Sequence, residues 1–221
     1  MSNLTFPTPQ LETRPLNSQL YQQAINEGLH PFLANLLARR LSAEQLAELN
    51  NPSLTSLTQP SLSYLAPPQK LLGMQVAVAR LKQAIINQEE LGLVTDYDVD
   101  GLTSHAIFYF SLTKFFNFPA HKIHSFIGHR LEDGYGLSSN LAQKILNHPP
   151  KINLIITADC GSSDEERLAL LKEAGIDSLV TDHHQLPAAG APASALACIN
   201  PSQAACNYPD KFLAGCGVAW L

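Results

Sequence analysis

Hydrophobic positions follow a helical spacing in the first part of the chain. Between Ser18 and Asn50 apolar residues recur every three or four positions, and Ser42 with Gln45 has the form of a capping box. This pattern predicts two helices followed by a third short one that begins at Ser42. Residues 51–69 carry four prolines and several serines, which predicts an extended connector.

Beyond Leu71 the pattern changes to short β-branched runs that alternate with helical ones. Residues 152–157, INLIIT, are almost purely apolar, as expected of a strand buried on both faces. The predicted helices are Leu71–Gln88, Leu102–Phe116, Ser138–Asn147 and Ser163–Ala174. The predicted strands are Leu91–Thr95, Lys122–Gly128, Ile152–Thr157, Ser178–Thr181 and Leu196–Ile199. This alternation predicts an α/β fold, a parallel β-sheet flanked by helices with right-handed crossovers.

The change of pattern divides the chain in two. Residues 1–69 form an N-terminal helical appendage with its connector, and residues 70–221 form the α/β domain. The helical part has too few residues for a core of its own, so we expect it to be an appendage of the larger domain.

Composition and charge limit the partners and the cell compartment that we expect for this protein. The formal net charge of −5 gives no general basic field, so a nucleic acid would have to be held by local groups or by metal. The start lacks the pattern of a signal peptide, and no apolar run approaches the roughly 18 residues of a membrane span. Four cysteines without a CxxC pair are better explained as small buried residues than as zinc ligands or disulfides. We expect a cytoplasmic protein without membrane contact.

Three carboxylates alternate within LGLVTDYDVDGLTS, residues 91–104: Asp96, Asp98 and Asp100. On an extended backbone they would share one side, where they would repel each other unless a cation lay between them. A divalent cation held by oxygen ligands is the usual solution. Asp and Gly are also common turn residues, so the stretch taken alone fits a simple turn equally well.

Two further strands end in side chains that can bind metal. INLIITA leads into Asp159, and DSLVT leads into Asp182, His183 and His184. Ligands of parallel sheets bind beyond the carboxyl ends of the strands, where these residues would meet. Carboxylates with one or two imidazoles suit Mn²⁺ or Mg²⁺ better than zinc. Each piece has an ordinary alternative, since an Asp after a strand is often a helix cap and a His pair often lies on the surface or in the core.

The carboxylates and the cations that they would bind suggest that these strand ends form a catalytic site. Two neighbouring cations can lower the pKa of a shared water and neutralise a phosphoryl group under attack. Asp159, on the central of the three strands, is the candidate bridging carboxylate. One imidazole of the His pair would bind metal and the other would donate to a phosphate oxygen or the leaving group. Arg130 could contact a phosphate, although a surface salt bridge is an equal alternative.

These motifs together resemble those of the DHH phosphoesterase superfamily, specifically its bacterial RecJ single-strand exonuclease branch. The resemblance covers roughly residues 70–221. The matching segments are TDYDVDGLTS, HRLEDGYGLS, ITADCG, VTDHH and INPSQAACNYPDKFLAGCGVAWL.

The resemblance implies a Mn²⁺- or Mg²⁺-dependent hydrolase, with two ions in the complete protein, that degrades single-stranded DNA from its 5′ end. It implies that Asp98, Asp100, Asp159 and His183 are metal ligands and that Asp96 is a further ligand or a close neighbour. It also implies a substrate-facing role for His184, with Asp182 orienting the histidines.

The chain departs from the family pattern at two points. Thr95 stands where the family usually has glycine, and the chain stops at Leu221. In the family a further Asp ligand and a C-terminal substrate-binding domain follow, so we expect a catalytic domain truncated at its C-terminal side, with weak activity by itself.

Two alternatives remain open at this stage. The protein could be a phosphodiesterase of the same superfamily that acts on short oligonucleotides or small nucleotides. It could also be a non-catalytic scaffold protein with this fold, although such a protein need not keep the metal ligands. The sequence assigns no protein partner and no oligomeric state.

Overall fold

The computed structural model describes residues 12–42, 54–59 and 61–221. The chain divides into two compact units, Met1–Leu65 and Ala66–Leu221. The helices are α1 (Ser18–Asn26), α2 (Pro31–Ala38), α3 (Leu54–Thr58), α4 (Met74–Asn87), α5 (Val99–Phe110), α6 (Ser139–Leu146), α7 (Glu165–Glu173) and α8 (Gly215–Trp220). The strands are β1 (Leu91–Thr95), β2 (Ile123–Ile127), β3 (Leu154–Ala158), β4 (Asp177–Thr181) and β5 (Ala197–Ile199).

The N-terminal unit has an apolar cluster of its own. Asn17 caps α1 by accepting hydrogen bonds from two backbone N–H groups, and Pro31 opens α2. The cluster consists of Leu20, Ala24, Leu29, Ala34, Ala38 and Leu54. The expectation that this part is too small for a core is therefore wrong, because alanines on the facing helices leave room for the leucines to pack. The helix predicted to begin at Ser42 runs through residues outside those described.

The described part of the connector is not extended as predicted. It contains α3 and two 3-10 turns, Leu62–Tyr64 and Pro68–Lys70. Leu54 in α3 is fully buried, and Ser61 caps the first turn by accepting a hydrogen bond from the backbone N–H of Ser63. Burial of one leucine and local capping by serine thus outweigh the extended preference of the prolines.

The second unit contains the predicted α/β fold. Five parallel strands form one sheet in the order β2-β1-β3-β4-β5. β1, β3 and β4 are therefore neighbours, with β3 in the middle. Their ends are also level, because Thr95 pairs with Ala158 and Ala158 pairs with Thr181. The residue after each of these three ends is an aspartate.

Helices cover both faces of the sheet, which buries every residue of β1 and β3. On one face α6 and α7 contribute to the main apolar cluster, and α4, α5 and α8 contact the sheet as well. The apolar run at residues 152–157 is explained by this burial on both faces. The residues of β1 and β3 are buried between the helices, and an aspartate follows each of β1, β3 and β4 at the carboxyl edge.

The helix predicted over Leu102–Phe116 has different limits. Asp98 caps α5 by accepting a hydrogen bond from the Gly101 N–H at 3.0 Å, so the helix begins at Val99. It ends at Phe110 and continues as a π-helical turn, Ser111–Phe115. The remaining elements of this unit agree with the predicted ones to within about three residues at each end, the usual scatter of helix and strand limits.

The four cysteines are unpaired, and three of them are buried. Their burial agrees with the prediction that they act as small apolar residues. None of the helices in the described ranges combines the length and apolar content needed to cross a membrane.

Candidate metal centre

The level ends of β1, β3 and β4 place three buried aspartates side by side. Asp96, Asp159 and Asp182 are 4%, 1% and 2% exposed. Ionised carboxylates are seldom buried to this degree without a compensating partner. The hydrogen-bond partners and charges around each carboxylate therefore indicate what this edge of the sheet can bind.

Six of the predicted site residues lie close together. Five of them form two overlapping groups of possible metal ligands, and the sixth, Asp100, lies beside these groups. Asp159, His183 and His184 form one group, and Asp96, Asp98 and Asp159 form the other. Within each group one ligand atom per residue lies within 4.8 Å of the others. Asp159 belongs to both groups, and Asp100 lies outside them but keeps its Oδ2 3.7 Å from His183 Nε2.

The carboxylate of Asp159 is buried with one oxygen left unpaired by the described residues. Its Oδ1 has no hydrogen-bond partner among the described residues, although His183 Nε2 is 3.1 Å away. Burial, together with the nearby charges of Asp100 and Asp98, raises the pKa of Asp159 to about 7. A bound cation would favour the ionised form and supply the missing partner for Oδ1.

Asp96 is in a similar position. Its Oδ1 is also buried without a hydrogen-bond partner in the described part of the chain. Burial and the neighbouring Asp98 raise the pKa of Asp96, and these effects exceed the opposite effect of its backbone hydrogen bond. Two buried, partnerless carboxylate oxygens beside an exposed Asp98 match the hard oxygen donors that Mn²⁺ and Mg²⁺ prefer. The donor set therefore fits a divalent cation.

Asp182 holds both histidines through hydrogen bonds. Its Oδ1 accepts from the backbone N–H groups of His183 at 2.7 Å and His184 at 3.1 Å. The same oxygen lies 2.8 Å from His184 Nδ1. Burial alone would raise the pKa of Asp182, but these bonds and one from Ser162 lower it, so the carboxylate stays ionised. The hydrogen bond to Asp182 in turn raises the pKa of His184. Asp182 thus hydrogen-bonds both histidines and does not belong to either ligand group.

Tyr135 was not identified from the sequence as a site residue. Its hydroxyl lies 3.2 Å from the backbone oxygen of Asp159 and 2.9 Å from His184 Nδ1. Burial and nearby carboxylates, Asp182 foremost, raise the pKa of Tyr135, so its hydroxyl keeps its proton. Flanking glycines with φ of 76° and 75° shape the loop that carries the ring. The signals in the sequence were this pair of glycines and the family-like segment HRLEDGYGLS that contains them.

Asn200 is a second residue that the sequence did not reveal. It is completely buried and donates from Nδ2 to Ser162 Oγ and to the backbone oxygen of His184, both at 2.9 Å. Its Oδ1 accepts from the Ser202 N–H at 2.8 Å. Asn200 therefore joins the loop after β5 to the His184 backbone.

Asp100 has a different environment from the one predicted. Its two oxygens accept hydrogen bonds from the Gly215 and Cys216 N–H groups at 2.7 and 2.6 Å. Burial raises the pKa of Asp100, but these bonds and the Cys216 thiol lower it overall. The expected alternation on an extended backbone is wrong, because Asp96 directly follows β1, Asp98 caps α5 and Asp100 lies in the first turn of that helix.

Arg130 is exposed near the β1 side of the site. Its guanidinium carbon lies 5.7 Å from the centre of the Tyr97 ring, a cation–π arrangement. No ion pair of Arg130 is found among the described residues, so the alternative of a surface salt bridge is not observed. Its positive charge partly offsets the rise in the pKa of Asp96.

A parallel sheet with buried carboxylates and imidazoles gathered at three level strand ends defines a class of α/β proteins with a divalent-cation site at the carboxyl edge. The chain belongs to the DHH family. The family described as "DHH family, N-terminal domain" matches residues 91–221.

The chain is similar to several proteins called RecJ, which are single-stranded-DNA-specific exonucleases. The one from Haemophilus influenzae is 36% identical over 160 residues, which are 72% of this chain and 27% of that protein. The one from Bacillus subtilis is 34% identical over 200 residues, 90% of this chain and 24% of that protein. The chain thus spans about a quarter of the length of these relatives.

A solved structure has a similar fold. The crystal structure of an exonuclease RecJ bound to manganese is 32% identical, with a TM-score of 0.56 over 67% of this chain and 36% of that chain. The resemblance to the DHH superfamily and the α/β fold predicted from the sequence are both confirmed.

Proposed function

We propose that this chain carries the divalent-metal centre of a phosphodiesterase, and that the protein to which it belongs is a 5′→3′ exonuclease on single-stranded DNA. The observation that supports this most directly is the sharing of Asp159 by two ligand groups. A carboxylate common to two groups is the arrangement required to bridge two cations. Mn²⁺ or Mg²⁺ is the proposed cofactor, and the manganese-bound relative supports manganese.

The proposed ligands are the residues of the two groups except His184. Asp96, Asp98 and Asp159 would hold one ion, and Asp159 with His183 would hold the other. Asp100 would complete the acidic surroundings, since its oxygens are already bonded to backbone N–H groups. The partnerless oxygens of Asp96 and Asp159 support this assignment because a cation would satisfy both.

The bound ions would lower the pKa of a water and neutralise the phosphoryl group that it attacks. His184 is the proposed substrate-facing imidazole, with Asp182 and Tyr135 fixing its ring. An imidazole held in this way can donate a proton to a phosphate oxygen or to the leaving group. Asp159 thus serves as the central ligand and His184 as the acid.

Arg130 is proposed to contact a phosphate of the bound strand. It is exposed, has no ion pair among the described residues and lies 5.7 Å from the centre of the Tyr97 ring, next in sequence to Asp96. With a net charge of −5, the chain has few other groups to hold DNA, so we expect this chain alone to bind and hydrolyse DNA weakly. The cytoplasm is the proposed location, which agrees with four unpaired cysteines.

Calorimetric titration with MnCl₂ tests the metal centre. The unaltered chain should bind Mn²⁺ saturably, and Asp159→Asn should lose most of the affinity because the shared ligand loses its charge. Glu173→Gln, which removes one exposed carboxylate on α7, should bind as the unaltered chain does. Absence of binding to the unaltered chain would support the non-catalytic scaffold alternative.

Labelled single strands of graded length test the substrate. A 5′→3′ exonuclease releases a labelled mononucleotide at once from a 5′-labelled strand and gives a descending ladder from a 3′-labelled one. Hydrolysis of only the shortest oligomers, or of cyclic dinucleotides, would favour a small-substrate phosphodiesterase instead.

A further inference from the structure

A groove begins at His183 and continues beside the candidate metal centre. It has a volume of about 780 Å³ and lies between the loops after β4 and β5 and the segment before α8. Its lining includes Gln185, Ser202, Gln203, Lys211 and Phe212. A groove that shares a histidine with the site would receive whatever part of a substrate extends past that histidine.

Phe212 is the most exposed large apolar side chain of the described residues, at 95%. Its N–H donates to Asp210 Oδ1 at 2.8 Å, which fixes the backbone that presents the ring. Single exposed apolar residues are common on protein surfaces. The position of this one, at a groove that leads to His183, provides a flat aromatic surface on which a base can stack.

The charge of the groove favours an anionic ligand. None of the residues that line it is acidic, although the chain carries a net charge of −5. The Lys211 ammonium donates to the backbone oxygens of Pro201 at 2.9 Å and Cys206 at 2.7 Å. An ammonium has three donors, so these bonds hold it in place and leave one N–H for a phosphate.

The groove and Arg130 lie on opposite sides of Asp159. Arg130 follows β2, the groove follows β4 and β5, and Asp159 follows β3 between them. Parallel strands are about 4.8 Å apart, so roughly 14 Å separate the ends of β2 and β4. A strand of DNA laid across this edge would reach both sides of the metal centre.

We propose that Phe212 and Lys211 form a nucleotide-binding subsite next to His183. The base of the nucleotide stacks on the Phe212 ring, and the adjoining phosphate pairs with the Lys211 ammonium. Stacking on aromatic side chains with nearby cations is how single strands are held without sequence preference. The substrate class rests on the function proposed above, and the contacts rest on the groove itself.

Binding of a fluorescently labelled oligothymidylate in EDTA tests the subsite without hydrolysis. Phe212→Ala should weaken binding about 5- to 20-fold, the lower part of the range for loss of one stacked base. The change removes no buried contact, so the fold should be kept. Phe115→Ala, which truncates another exposed phenylalanine on the π-helical turn, should bind as the unaltered chain does. Equal affinity of Phe212→Ala and the unaltered chain would overturn the proposal.

A tryptophan placed at the subsite reports stacking directly. In a Trp220→Phe background, Phe212→Trp should lose fluorescence when oligothymidylate is added up to millimolar concentration, and Phe115→Trp should not. An abasic oligomer of equal length should not quench it, and equal quenching by both oligomers would refute stacking. Because the readout needs neither metal nor turnover, quenching together with hydrolysis of only the shortest oligomers would sustain the subsite and count against the exonuclease. Hydrolysis of long strands without quenching would refute the subsite and support the exonuclease.

Discussion

Gly215 lies directly against the carboxylate of Asp159. A Cβ atom built on Gly215 would be 2.4 Å from Asp159 Oδ1 and 2.8 Å from its Cγ. The N–H of the same glycine donates to Asp100 at 2.7 Å. The start of α8 is therefore in contact with two of the acidic residues at the carboxyl edge.

The first prediction concerns this contact. Gly215→Ala should displace the Asp159 carboxylate and lower Mn²⁺ affinity about 10- to 100-fold. Changes in residues that contact and orient metal ligands typically have an effect of this size. Calorimetry measures the change. Gly217→Ala is the matched control, because its Cβ would be 3.4 Å from the nearest atom, a Leu213 methyl group. If Gly215→Ala binds Mn²⁺ as well as the control, the close contact has no bearing on metal binding.

Asn200→Ala should destabilise the second unit. It leaves the Ser162 hydroxyl and the His184 backbone oxygen without their buried donor, at a cost of about 1–3 kcal/mol. Urea unfolding followed by circular dichroism measures the loss. Asn207→Ala, at an exposed position, should change the free energy of unfolding little. An unchanged midpoint for Asn200→Ala would show that water replaces the amide.

Tyr135→Phe should separate catalysis from metal binding. It removes the hydroxyl beside His184 and Asp159 but keeps the ring that packs edge-on against His184. Losing the hydrogen bond that positions His184 should raise the activation free energy by about the energy of one hydrogen bond. This increase corresponds to a roughly tenfold lower kcat. Mn²⁺ affinity should stay as it was, because the hydroxyl bonds the backbone of Asp159 and not its carboxylate. Parallel loss of Mn²⁺ affinity would mean that Tyr135 supports the ligands themselves.

Glu90 should contribute stability that is lost in acid. Burial raises its pKa, but hydrogen bonds from His124 at 2.8 Å and Lys122 at 3.2 Å outweigh this and lower it below the ordinary 4.5. A lowered pKa gives stability that is complete above the ordinary value and disappears as pH falls through the folded-state value. Glu90→Gln should therefore lower Tm by about 2–4 °C at pH 7, with the difference closing below pH 4.5.

Thermal unfolding at several pH values checks this. Glu173→Gln supplies the comparison, since it removes an exposed carboxylate and should leave the pH profile unaltered. A gap between Glu90→Gln and the unaltered chain that persists at acid pH would show that packing, and not charge, is responsible.

The sequence predicted the convergence of strand ends but not its geometry. Apolar runs at β1, β3 and β4 identified the strands, and placing Asp159 between the other two ends required only their order. The alternation of Asp96, Asp98 and Asp100 suggested an extended backbone, yet capping by Asp98 starts α5 inside the motif. A spacing of two residues fits both an extended strand and the start of a helix. Local hydrogen bonding, here the cap that Asp98 provides, decides between these two conformations.

Residues that act through distant partners escaped prediction. Asn200 is 16 residues from His184, and Gly215 is 115 residues from the Asp100 that it contacts. No local pattern encodes such pairs, because the sheet order and loop paths bring them together. The N-terminal cluster was missed for a related reason, since Leu54 joins it from a segment whose prolines suggested an extended chain.

Asp159 adopts a left-handed backbone conformation, with φ of 60°. Asparagine and aspartate enter this region more readily than other non-glycine residues. An amide at this position would therefore preserve the local chain path, whereas alanine would add conformational strain to the loss of the carboxylate. Asp159→Asn is on these grounds the form of the protein in which to trap an uncleaved strand for crystallography.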